Sequence, residues 1–140
     1  MAVSSDKGDS LNVHPTSKQP IGERLARLAL HNLYDFANVV PSGPAIKEAS
    51  VVGDGIVRLT FDYASGLSTA DGKHPATFEI AEEEGVYKPA EARIEGNTVV
   101  VMAAGVAHPR FVRYGWQPFT RANLVNGAKL PASTFRVEVR

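Results

Sequence analysis

A change of pattern at Pro41-Ser42-Gly43-Pro44 constrains the fold of this 140-residue chain more than any other feature. Before it, residues 20–34 carry apolar side chains at helical spacing. After it, short apolar runs alternate with turn residues. Two prolines around a serine and a glycine interrupt helices and strands alike. The sequence therefore predicts two parts, residues 1–40 and residues 44–140.

The first part contains one predicted amphipathic helix, from about residue 20 to residue 34. Pro20 suits the first helical position, because its missing N–H has no intrahelical partner there. A negative charge in the first turn, from Glu23, interacts favourably with the helix dipole. The expected apolar stripe consists of Ile21, Leu25, Leu28 and Leu33, with Ala29 beside them. Glu23, Arg24 and Arg27 are expected to face away, and the stripe to pack on a larger domain.

The second part is predicted to form about seven short strands. Gly53-Asp54-Gly55 and Glu95-Gly96-Asn97 are typical of tight turns between neighbouring strands. The expected strands are residues 46–52, 56–63, 77–81, one or two within 87–94, and then 98–102, 111–116 and 135–139. Short strands at regular spacing favour a β-sandwich. The predicted fold class is mainly β with one N-terminal helix.

Composition excludes several classes of function. Basic and acidic residues balance at 15 each, so the chain has no basic stripe for nucleic acid, and its apolar runs are too short to span a membrane. The absence of cysteine removes disulfides, thiol nucleophiles and thiolate metal ligands. The four histidines lack metal-ligand spacing, so we expect neither a metal nor another cofactor. Residues 1–6 lack a signal-peptide pattern, which indicates a cytoplasmic protein or a start that is not the natural one.

Residues 8–15 hold the best candidates for catalysis: an acid, a hydroxyl and an imidazole within seven positions. Gly8-Asp9-Ser10-Leu11 matches the nucleophile signature of the GDSL esterases, in which the serine follows a buried strand. Residues 4–7 are too polar for such a strand, and Asp9 and Ser10 are also typical of turns. A small stand-alone esterase that uses Ser10 stays open as an alternative.

His14 lies on a loop just before the predicted helix, and Pro15 restricts its backbone to extended conformations. A histidine in such a place suits a catalytic base for a serine elsewhere, and Asp9 or Asn12 would orient its second ring nitrogen. The alternative is an ordinary loop histidine.

Two groups of motifs, in the same order along the chain, resemble the C-terminal portion of the sialate O-acetylesterase family of SGNH-type serine esterases. The first group is Met1-Ala2-Val3, Gly8-Asp9, His14-Pro15, Lys18-Gln19, Gly22 and Arg24-Leu25-Ala26. The second is Tyr63-Ala64-Ser65-Gly66-Leu67, Phe78-Glu79-Ile80-Ala81, Val112-Arg113-Tyr114-Gly115-Trp116, Ala122-Asn123-Leu124, Leu130-Pro131-Ala132-Ser133 and Phe135-Arg136. The resemblance covers essentially the whole chain.

The resemblance implies that His14 is the catalytic base and that the substrate is acetylated sialic acid or another acetylated sugar. It places the nucleophilic serine and the oxyanion hole in an upstream SGNH domain. Residues 1–40 would be that domain's last loop and helix, and residues 44–140 an appended β-sandwich. It also points to a periplasmic or secreted protein. Asn12 stands where the family has aspartate; its amide can accept a hydrogen bond from imidazole but cannot balance the imidazolium charge, so Asp9 is a second candidate.

A different class of function is also open. The chain would then be a non-catalytic β-sandwich module that contacts carbohydrate or a catalytic domain. Tyr114, Trp116 and Phe119 are the candidates for its contact surface, because aromatic rings stack on the apolar faces of sugars. Burial of these rings in the sandwich core is the competing interpretation, and their exposure distinguishes the two.

Overall fold

The computed structural model describes residues 1–12, 14 and 16–140. A short 3₁₀ turn, Ser5–Lys7, precedes one α-helix, α1, which spans Gln19–Leu33. Pro20 is the second helical residue, where its missing N–H costs no intrahelical hydrogen bond. Both ends of α1 lie within one residue of the prediction.

The rest of the described chain is built from ten strands, seven of which have four or more residues. They are β1 Ala45–Gly53, β2 Ile56–Asp62, β3 Ser68–Thr69, β4 Phe78–Ala81, β5 Lys88–Pro89, β6 Glu91–Glu95, β7 Thr98–Met102, β8 Phe111–Tyr114, β9 Leu124–Val125 and β10 Phe135–Glu138. The strand orders are β1-β2-β7-β6 in one antiparallel sheet and β10-β8-β4-β5 in the other, while β3 pairs with β9. The predicted mainly-β fold with one helix is confirmed.

The hairpin between β1 and β2 turns at Asp54-Gly55, as the sequence predicts. Gly55 has φ +68°, in the left-handed region that glycine enters without a steric penalty. A Cβ added there would lie 2.5 Å from the carbonyl oxygen of Val106. The turn therefore requires glycine both for its backbone conformation and for its contact with the 103–107 turn.

The hydrophobic core lies between the two four-stranded sheets. Val57, Leu59, Val99 and Val101 from the first sheet and Ile80 and Val112 from the second are fully buried. Each such side chain contributes about 1.5–3 kcal/mol through the area it removes from water. An aromatic cluster extends the core toward one end of the sandwich, and it consists of Phe61, Phe78, Tyr114 and Phe135.

The C-terminal residues join the two sheets along one edge. Val139 forms a parallel bridge with Ala49 of β1. The N–H of Arg140 donates to the carbonyl of Ala49 at 2.9 Å, and the N–H of Val51 donates to the carbonyl of Arg140 at 3.1 Å. These bonds satisfy edge groups of β1 that would otherwise be open to pairing with another chain.

The predicted linker packs tightly against the sandwich. Pro41, Gly43 and Pro44 are buried, and a Cβ on Gly43 would collide with the carbonyl of Pro131. The side-chain Nδ2 of Asn126 donates to the carbonyl of Ser42 at 2.9 Å. The chain therefore passes from α1 into β1 along a fixed path. The division into residues 1–40 and 44–140 stays a prediction.

The orientation of α1 differs from the prediction in one respect. Arg24, which was expected to face away, is only 7% exposed. Leu25 and Leu33, which were expected in the packed stripe, are 56% and 75% exposed. The reason is the N-terminal segment, which folds back over the helix and pairs with the Arg24 guanidinium. Within the stripe, Ile21 and Leu28 are half-buried, whereas Leu25 and Leu33 stay exposed.

Candidate functional site

His14 lies at a bend in the loop that leads into α1, and it is exposed to solvent. Val13 and Pro15, on which the prediction of an extended backbone relied, lie outside the described residues. The imidazole is therefore positioned on the surface, just before the helix.

Asp9 and Asn12 both bond to the backbone of the loop. Oδ1 of Asp9 accepts a hydrogen bond from the N–H of Leu11 at 2.8 Å. Oδ1 of Asn12 accepts one from the backbone N–H of His14 at 2.9 Å. Such contacts two residues along the chain define Asx turns. Among the described residues, no hydrogen bond reaches the His14 ring, so these two side chains shape the loop that carries the imidazole.

Ser10 occupies a bend and is exposed. It follows the 3₁₀ turn Ser5–Lys7 and Gly8, whose backbone is extended. The buried strand that the nucleophile of a GDSL esterase follows is missing in the described part of the chain. The local fold is therefore that of a polar turn.

An ion pair that the sequence analysis missed anchors the base of this loop. Nη1 and Nη2 of Arg24 donate to the two carboxylate oxygens of Asp6 at 2.6 and 2.7 Å, and Nη1 also donates to the carbonyl of Val3 at 2.7 Å. Bidentate, charge-assisted bonds of this kind are the strongest hydrogen bonds in proteins. The loop between Asp6 and α1 is therefore tied to the helix at both ends: Asp6 binds Arg24 at one end, and Gln19 begins the helix at the other. The two residues are 18 positions apart, and no local pattern indicates their pairing.

The aromatic residues proposed for a carbohydrate surface separate into two groups. Tyr114 is 1% exposed and stacks on Phe135, so its assignment to the surface is wrong. Its Oη accepts a hydrogen bond from the N–H of Leu124 at 2.9 Å, and burial raises the pKa of the Tyr114 hydroxyl. Alternation along β8 points its ring into the core. Trp116 and Phe119 lie beyond β8 and are 51% and 45% exposed.

Within residues 1–12, 14 and 16–140, no three His, Cys, Asp or Glu side chains are arranged to hold a metal ion. No helix in that part of the chain combines the length and the apolar character needed to cross a bilayer.

The chain is similar to proteins of known structure. No protein-family model and no curated protein matches it. Among solved structures, a carbohydrate acetylesterase from Xanthomonas citri matches over 94% of the chain, with 39% sequence identity and a TM-score of 0.86. The chain is related to a carbohydrate esterase. It spans about 30% of the length of that acetylesterase.

This relation confirms the coarser part of the predicted family resemblance. A carbohydrate esterase relation is shown, whereas the sialate substrate and the SGNH type stay predictions. The N-terminal part of a bacterial S-layer protein also matches 87% of the chain, at 16% identity and a TM-score of 0.50. At that identity the second likeness concerns the fold alone.

Proposed function

We propose that the chain is part of a carbohydrate O-acetylesterase and that His14 is its catalytic base. The observation that carries the proposal is the match to the Xanthomonas citri acetylesterase, at 39% identity over 94% of the chain. The exposed position of His14 on an anchored loop supports it. The proposed substrate is an acetylated sialic acid or a related acetylated sugar.

The proposed mechanism has two half-reactions and needs no cofactor. His14 takes the proton from a serine hydroxyl as the serine oxygen attacks the acetyl carbonyl carbon. The bond to the sugar oxygen then breaks, and the imidazolium protonates that oxygen. In the second half-reaction, His14 takes a proton from water, whose oxygen attacks the acetyl-serine. Acetate leaves, and the serine regains its proton.

In this proposal the nucleophile and the oxyanion hole belong to an upstream SGNH domain. The chain spans about 30% of the acetylesterase it matches, which supports a site completed by further residues. The surface of α1 supports the same arrangement, because Leu25, Leu30 and Leu33 are all more than a third exposed, as is Phe36 just after the helix. We propose that this apolar face packs on the SGNH domain, so that residues 1–40 complete that domain and the β-sandwich follows.

A graft tests the proposal. The chain is placed in the Xanthomonas citri acetylesterase in exchange for the segment it matches, and hydrolysis of 4-nitrophenyl acetate and of acetylated sugars is measured. We expect the graft to turn over these esters and the isolated chain to show little turnover, because the oxyanion hole and nucleophile each contribute orders of magnitude in rate. A folded graft with no esterase activity would contradict the proposal.

A second candidate function is a non-catalytic module that contacts carbohydrate. The exposure of Trp116 and Phe119 favours it, because both rings lie on the loop after β8 and neither is buried in the core. Titration of the chain with cellotetraose, followed by Trp116 fluorescence, tests this function. A saturable change supports a sugar surface at this loop, and a flat titration counts against it.

A further inference from the structure

Tyr63 has a backbone conformation that a tyrosine rarely adopts. It directly follows β2 and has φ +56°, in the left-handed region. Glycine enters this region freely and asparagine enters it more readily than other residues, whereas a bulky side chain is strained there. A strained residue persists when its surroundings fix it, and such residues are frequent at functional sites.

Asn126 fixes this conformation from the interior. It is 1% exposed, and its Nδ2 donates to the carbonyls of Tyr63 and Ser42 at 3.0 and 2.9 Å. Its Oδ1 accepts hydrogen bonds from the N–H groups of Ala128 and Leu130 at 3.2 and 3.1 Å. The amide therefore makes four bonds, its full capacity. The carbonyl of Tyr63 is held in one place relative to the linker and the 126–130 turn.

Burial of the Tyr63 ring does not offset the strain. The side chain is 46% exposed, unlike Phe61 two residues earlier, which is 9% exposed and belongs to the core. Tyr63 instead lines two hollows in the surface. An exposed aromatic ring with a polar tip, on a backbone held in one conformation, is well suited to recognise a ligand.

The two hollows lie where α1 meets the sandwich. One has a volume of about 420 Å³ and is lined by Tyr63 with, among others, Leu28, Asn32, Ser133 and Thr134. Its volume falls in the range of about 300–1,000 Å³ that small-molecule sites occupy. The other, of about 260 Å³, is lined by Tyr63 with His31, Ser65 and Ala128 among others. Both hollows therefore share Tyr63 and border the helix that follows His14.

The lining of the two hollows is mostly apolar, with a few hydroxyl and amide groups, which suits a neutral ligand that has both an apolar face and hydroxyls. Among the described residues that line the two hollows, none is Asp, Glu, Lys or Arg. Amide and hydroxyl groups of Asn32, Ser65 and Thr134 are available as hydrogen-bonding partners. His31 is already engaged, since its Nδ1–H donates to the carbonyl of Val39 at 2.9 Å.

We propose that Tyr63 is the stacking platform of a subsite for neutral sugar residues, located at the junction of α1 and the sandwich. The ring stacks on the apolar face of a pyranose, and the neighbouring hydroxyl and amide groups bond its hydroxyls. The subsite rests on the proposed function, in which it holds units of the glycan distant from the acetyl group. Because no charged side chain lines the hollows, the subsite is not expected to recognise the carboxylate of an acidic sugar.

Saturation-transfer NMR and calorimetry on the purified 140-residue chain test the subsite. The probes are the neutral tetraoses of β-1,4-linked glucose, xylose and mannose, with N-acetylneuraminic acid as the charged comparison. We expect at least one tetraose to bind, N-acetylneuraminic acid to bind more weakly, and Tyr63→Ala to weaken the tetraose at least tenfold. Tyr34→Ala, at an exposed tyrosine outside both hollows, is expected to leave its affinity unchanged.

A glycine variant separates binding from folding. Tyr63→Gly relieves the backbone, so it is expected to unfold at a temperature no lower than Tyr63→Ala while binding the tetraose equally poorly. Failure of every tetraose to bind the wild-type chain would overturn the subsite, as would an unchanged affinity in Tyr63→Ala. If Tyr63→Ala instead leaves tetraose binding unchanged and lowers only the unfolding temperature of the grafted acetylesterase, the ring is a contact between domains and the proposed subsite is wrong.

The outcome is independent of the test of the proposed function. Binding of a tetraose requires no ester hydrolysis, and His14→Ala is expected to leave it unchanged. Tetraose binding that depends on Tyr63 in a chain whose graft is inactive would overturn the proposed function alone. An active graft whose chain binds no tetraose would overturn the subsite alone.

Discussion

Arg24 on α1 and Asp6 in the N-terminal turn form a bidentate ion pair, with Nη1–Oδ1 and Nη2–Oδ2 distances of 2.6 and 2.7 Å. The side chains are 8% and 26% exposed, so the pair is largely removed from water. It ties the start of the His14 loop to the helix at the loop's end. The pair therefore links the stability of the N-terminal segment to the placement of the candidate catalytic base.

Loss of this pair is expected to destabilise the chain. Arg24→Met leaves Asp6 with only the more distant Lys7 ammonium, at 4.0 Å. We expect the free energy of unfolding to fall by about 3 kcal/mol, at the lower end for a broken buried pair because Asp6 keeps part of its exposure. Urea denaturation measures the change. Arg27→Met on the same helix is the matched control, and an equal loss in both variants would contradict a specific role for the Arg24 pair.

The hydrogen bonds of Asn126 predict that Asn126→Asp strongly lowers the free energy of unfolding. Asn126→Asp replaces the Nδ2 donor by an oxygen that faces the carbonyls of Ser42 and Tyr63. We expect a loss of at least about 3 kcal/mol, because two buried acceptors lose their donor and a buried charge is added. Thermal and chemical denaturation measure it. Asn38→Asp, at an exposed position, is the control and is expected to change little. A stable Asn126→Asp variant would show that the linker and β2 do not depend on this amide.

The contacts of Glu82 with residues 107–108 are expected to make the stability of the fold depend on pH. Its Oε1 accepts hydrogen bonds from the N–H groups of His108 and Ala107 at 2.8 and 2.6 Å, and these bonds lower the pKa of the carboxyl below its usual 4.5. A lowered pKa means that the carboxylate stabilises the fold above about pH 4.5. That contribution is lost as the pH falls through the lower value in the folded chain.

Glu82→Gln is therefore expected to be less stable than the wild type at pH 7 and to approach its stability as the pH falls below 4.5. Denaturation midpoints between pH 3 and pH 7 measure this convergence. Glu83→Gln, an exposed neighbour, provides the control and is expected to track the wild type throughout. A constant difference between Glu82→Gln and the wild type across that range would exclude the carboxylate as its origin.

Ser10 is expected to be dispensable for ester hydrolysis. It lies at an exposed bend and does not follow a strand, so its hydroxyl lacks the setting that activates a nucleophile. Ser10→Ala in the grafted acetylesterase is expected to keep kcat/KM within about twofold, as substitutions at exposed sites without a special role usually do. A large loss of turnover in this variant, with its fold intact, would contradict this prediction and support the alternative in which Ser10 is the nucleophile of a stand-alone esterase.

Elements with strong local signals could be predicted, and contacts between distant residues could not. The helix and the Gly53–Gly55 hairpin follow from periodicity and turn chemistry within a few neighbouring residues. Strands β3 and β9 have two residues each, which is too short for alternation to reveal, and they exist because residues 68–69 meet residues 124–125. The inward position of Arg24 depends on Asp6, 18 positions away, so its charge alone predicted the opposite orientation.

The candidate site shows the same limit. The residues of the His14 loop were visible as a motif, but their side-chain partners were not. Asp9 and Asn12 were expected near the imidazole, and in the structure each bonds to a backbone N–H two residues ahead. The strained conformation of Tyr63 has no sequence signature, because tyrosine at the end of a strand usually indicates an ordinary extended residue.

The most direct test of the account is the kcat/KM of the grafted acetylesterase with His14→Ala, on an acetylated sugar. A general base contributes about 10²–10⁴ in rate, so we expect a loss of about 10³-fold with the fold unchanged. His108 is also exposed but lies 94 positions further along the chain, and His108→Ala is expected to keep full activity. Equal activity in the two variants would contradict the assignment of His14 as the catalytic base.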